Sequence, residues 1–154
     1  MRHINRILSD WLEIAKDITI SETEPDYKPF ADIVSLNLED QLSDVQSGVI
    51  ILFEHLPQSV TSFQNSNTDY VFDDIVGVHV FSTKGFAHEE NRQTVSDVTD
   101  KLIKGVLNYN PMIDGIGNAR LRMHYIQNTE GANYLFLGAF RAYIEFEIKT
   151  KESY

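Results

Sequence analysis

The chain predicts an α/β (α+β) domain, a mostly antiparallel sheet of about four strands with helices packed on one face, and three stretches carry that expectation. In residues 75–81, Val76, Val78 and Val80 alternate onto one face, as a half-buried strand requires. From about His88 to Leu107 the period lengthens. Val95, Val98, Leu102, Ile103, Val106 and Leu107 then form one helical stripe that needs a sheet to cover it. Two further alternating runs, joined by turn residues, follow as an antiparallel hairpin.

Taken in order, Ile4, Ile7, Leu8, Trp11, Leu12 and Ala15 keep helical spacing, so residues from about 2 to 17 are expected to form an amphipathic helix at the margin of the sheet, anchored by Trp11. Residues 21–29 include Pro25 and Pro29 and little apolar content, which marks a loop. Residues 33–38 suit a short strand on the alternation of Val34, Leu36 and Leu38, or a helical turn through Asp44 capped by Asn37. Between Gly48 and Pro57 lies a continuous apolar run, Val49 to Phe53, expected to be a strand covered on both faces. Residues 60–69 are polar and predict a connection between strands. After the long helix, Asn108, Asn110 and Pro111 predict its end, and Gly115 and Gly117 a turn. In the hairpin, Leu121, Met123 and Tyr125 alternate with Arg120, Arg122 and His124. Its second strand sets Phe140, Ala142, Ile144, Phe146 and Ile148 against Arg141, Tyr143, Glu145 and Glu147. One domain over residues 1–154 results, with a helix at about 2–17, an acidic loop-rich segment at 18–74 and a strand-helix-hairpin core at 75–149.

Composition narrows the function. The chain has no cysteine, which excludes disulfides, thiolate chemistry and cysteine-ligated metal centres. No apolar run reaches the ~20 residues of a membrane span, and residues 1–5 lack the apolar stretch of a secretory signal, so a soluble, membrane-free protein is expected. The formal charge of -10 is concentrated, since residues 25–74 hold one basic and nine acidic side chains while residues 75–154 hold nine of each. An acidic segment of that kind repels phosphate and argues against general nucleic-acid binding; a solvated, solubilising surface is its plainer role.

No pattern on the chain carries catalysis. His79 and His124 lie on strands that are candidates for neighbours, but neither has an obvious carboxylate co-ligand, and a histidine on a polar strand face is the ordinary case. Asp69, Asp73 and Asp74 form the densest carboxylate group outside the predicted helices, without the alternating pattern and central glycine of a calcium loop. Ser35, Ser43, Ser59 and Ser82 sit in no nucleophile-elbow sequence, and Gly115 and Gly117 lack the third glycine and following helix of a dinucleotide loop. No enzymatic activity, cofactor or metal is therefore expected. Arg120, Arg122 and Arg141, interleaved with Tyr125 and Tyr143, suit a subunit interface first, where Tyr and Arg are enriched. A solvated face ranks second. Nucleic acid ranks third, because Glu145 and Glu147 share that face and pair with arginine in ordinary sheet chemistry.

The order of elements resembles the tail-terminator proteins of tailed bacteriophages, the minor tail protein U-like group. The likeness lies in the amphipathic N-terminal helix, the polar loop, the strand ending in Phe53, Glu54, His55, Leu56 and Pro57, the strand over 76–81 leading to the helix over 95–107, and the closing hairpin. It implies a virion protein found in the tail or neck, and in the host cytoplasm during assembly. Its copies would close into a homo-oligomeric ring, typically a hexamer, that ends the tail tube and meets the head-tail connector. Other neck or tail-completion proteins share that architecture, and a small metal-dependent hydrolase using Asp73, Asp74 and a histidine is the alternative of another class. A ring of this kind passes DNA without specific binding, which gives Asp69, Asp73 and Asp74 an expected place on an acidic channel wall.

Overall fold

The computed structural model describes residues 3–23, 25–33, 48–63, 69–82, 89–109, 120–129 and 141–153. Their elements are α1 (His3–Lys16), β1 (Phe30–Ile33), β2 (Val49–Phe63), β3 (Asp69–Ser82), α2 (Glu89–Asn108), β4 (Arg120–Thr129) and β5 (Arg141–Ser153). The strands form one sheet in the order β1-β2-β3-β5-β4. Only the β1–β2 pair is parallel. The other three are antiparallel, so the α+β class expected from the sequence holds, with a short fifth strand added at one edge.

Both helices cover the same face. Trp11 is fully buried and meets Phe146 of β5 edge to face, with ring centroids 5.1 Å apart. Ile4, Ile7, Leu8 and Ala15 of α1 join Val95, Val98, Leu102 and Val106 of α2 over Ile51, Phe53, Val76, Val78, Val80, Ile144 and Phe146 in one cluster. The first helix is thus part of the central core, not the marginal element expected. Two contacts tie the helices together: the Tyr109 hydroxyl donates to Asp10 Oδ2 at 2.7 Å, and Gly105 lets Ile14 approach where a Cβ would stand 2.7 Å from its methyl. Leu107, expected in the buried stripe, is 48% exposed. At ~100° per residue it lies about 140° around the helix from Leu102, beyond the covered arc.

The strand Val49 to Phe53 is buried on both faces, as its unbroken apolar run implies. Ile51 and Phe53 face the helices, whereas Ile50 and Leu52, also fully buried, belong to the opposite side with Phe81. Gly48 enters it with φ 40°, a left-handed conformation that favours glycine.

Three expectations are corrected. Of the polar connection expected over 60–69, residues 60–63 and 69 are strand, because β2 continues to Phe63 and β3 starts at Asp69, while 64–68 lie outside the described residues; the paired strands lengthen the sheet within the segment read as loop-rich. Pro57 does not end β2, and the register instead shifts between Pro57 and Val60 and again between Val60 and Ser62. A bulge is where a strand tolerates the missing N–H. The edge strand occupies Phe30–Ile33; the rest of the strand or turn considered over 33–44 lies outside the described residues, as do Phe140 and the turns at 110–117 and 130–133.

Candidate functional site

The sheet face away from the helices carries the buried Ile50, Leu52 and Phe81 and, further along the sheet, polar positions of β3, β4 and β5. Residues of β5 with odd numbers stand on it, and the β4–β5 register sets Arg120 opposite Lys149, Arg122 opposite Glu147, Tyr125 opposite Glu145, Gln127 opposite Tyr143 and Thr129 opposite Arg141. Directly paired residues share a face. The five positions expected at a subunit interface, Arg120, Arg122, Tyr125, Arg141 and Tyr143, therefore lie on one face. Strict alternation would have put Tyr125 with Leu121 and Met123. A register shift between Met123 and Tyr125, with His124 as the extra residue, moves Tyr125 to the arginine face and Ile126 to the helix face opposite Ile144.

At the centre of that face is Gly77. A Cβ there would stand 2.7 Å from the Tyr143 hydroxyl, so the missing side chain is the space the phenol occupies. Tyr143 donates to Glu145 Oε1 at 2.8 Å and leans on the ring of His79 at a centroid distance of 4.7 Å. His79 in turn stacks on Phe81 at 5.9 Å and meets Glu54 Oε2 through Nε2 at 3.1 Å. It is nearly buried, and Glu54 half-buried.

The three aspartates do not form one cluster. Successive strand residues face opposite ways, so Asp69 and Asp73 occupy the polar face and Asp74 the helix face. Asp73 is half-buried, with Lys149 Nζ at 3.9 Å from its Oδ2. Burial, then the neighbouring Glu147 carboxylate, pushes its pKa up, against the opposing pull of Lys149. Asp74 is fully buried and accepts from His55 Nε2 at 2.9 Å. It presents no carboxylate to a channel, which removes it from the acidic wall expected of it, and it cannot share an ion with Asp73. Nor do His79 and His124 lie on neighbouring strands, since β5 separates β3 from β4. Among the described residues, no group of three or more metal-ligating side chains converges.

The two imidazole–carboxylate pairs were not legible beforehand. Asp74 follows His55 by 19 residues, and His79 follows Glu54 by 25. Their signal is the register of the long β2–β3 hairpin, which the polar composition of residues 60–69 conceals.

No protein-family model matches the chain, and no curated protein matches it. No helix among the described residues is long and apolar enough to cross a membrane.

Proposed function

We propose that this chain is a structural subunit of a tailed-phage virion, a tail-terminator or related tail-completion protein. Its copies close into a ring at the end of the tail tube, hexameric as is typical of that group. The ring contacts the tube on one side and the head-tail connector on the other, and DNA passes through it without specific binding. The observation that carries this reading is the gathering of the positions Arg120, Arg122, Tyr125, Arg141 and Tyr143 with Glu145 and Glu147 on the sheet face opposite the helices. Tyrosine and arginine supply large contact area with directional hydrogen bonds, the composition that protein interfaces favour. Asp69 and Asp73 are the carboxylates of the original acidic group that remain on that face.

The test is molecular mass by light scattering, alone and after mixing with purified tail tubes that lack their terminal ring. A closed oligomer of the 17.7 kDa chain, formed alone or on the tube end, is the expected result. A monomer that neither assembles nor attaches to tubes overturns the reading.

A further inference from the structure

We draw no further inference here: the strongest candidate, the side-chain cluster of Glu54, His79, Tyr143 and Glu145 around Gly77 on the sheet face away from the helices, pairs His79 with Glu54 and Tyr143 with Glu145, and nothing in the structure shows what covers that face.

Discussion

His55 and Asp74 join β2 to β3 through one hydrogen bond of 2.9 Å, whose acceptor is fully buried while its donor keeps 22% of its side chain in solvent. The pair stands on the helix face of the sheet, beyond the apolar rows. A buried carboxylate is tolerated only where donors meet it. His55→Ala removes one such donor and should destabilise the chain by about 1–3 kcal/mol, read from urea unfolding. Lys16→Ala, which removes an exposed contact to Glu13 at 3.6 Å, should stay within ~0.5 kcal/mol. Equal losses would mean that the imidazole contributes no more than a surface contact.

Asp73 supplies a pH dependence of the opposite sense to the usual carboxylate. Its pKa is raised above the ordinary 3.8 by burial and by Glu147, so the folded chain holds this proton more tightly than the unfolded one. Stability from this site is therefore present in full below 3.8 and is lost as pH rises through the raised folded value. Asp73→Asn should remove that loss and raise the urea midpoint at pH 7 relative to wild type. The gap between the two proteins should narrow on acidification. A gap independent of pH would show that the carboxylate's ionisation is not the cause.

The two faces of α2 should respond differently. Leu102 is fully buried among helix and sheet side chains, so Leu102→Ala should cost about 2–5 kcal/mol. Lys101 is exposed and donates to the Thr19 carbonyl at 2.8 Å, so Lys101→Ala should cost ~0.5 kcal/mol or less. Comparable losses would mean that the buried arc of the helix is assigned wrongly.

Gly77 and Tyr143 should be coupled. Gly77→Ala places a methyl against the phenol, whose oxygen is the nearest atom at 2.7 Å, and the ring must shift or the sheet deform. In a Tyr143→Phe background the closest contact is gone. The cost of Gly77→Ala should then fall, giving a non-zero coupling in a double-mutant cycle. An additive cycle would mean that the ring yields freely.

What the sequence made legible follows from how far each interaction reaches along the chain. The helical stripes of Ile4, Ile7, Leu8 and Trp11 and of Val95, Val98 and Leu102 are set by local period, and the structure buries all of them. The double burial of Val49 to Phe53 in β2 was legible in the same way, from an apolar run without alternation. Contacts set by register were not. Pro57 and the polar tip hid the length of the β2–β3 hairpin, and with it the His55–Asp74 and His79–Glu54 pairs. The shift at His124 is likewise invisible to a period-two reading, although it decides which face Tyr125 joins.

The acidic channel belongs to the proposed ring and can be tested residue by residue. Asp69 and Asp73 share the polar sheet face, whereas Asp74 is enclosed with His55. Neutralising Asp69 and Asp73 to Asn should preserve assembly and increase retention of DNA by the ring, because each lost carboxylate lessens repulsion of passing phosphates. Screening limits that effect to about 8 Å at physiological salt, so only acids close to the path of the DNA contribute. Neutralising Glu89, Glu90 and Asp97 on α2, on the helical side of the sheet, should leave retention unchanged. Binding measured over a range of salt concentrations compares the two variants with wild type. Equal retention by all three rings would assign the acidic segment to solubility, whereas a gain in the α2 variant alone would place the helices, not the polar sheet face, against the DNA.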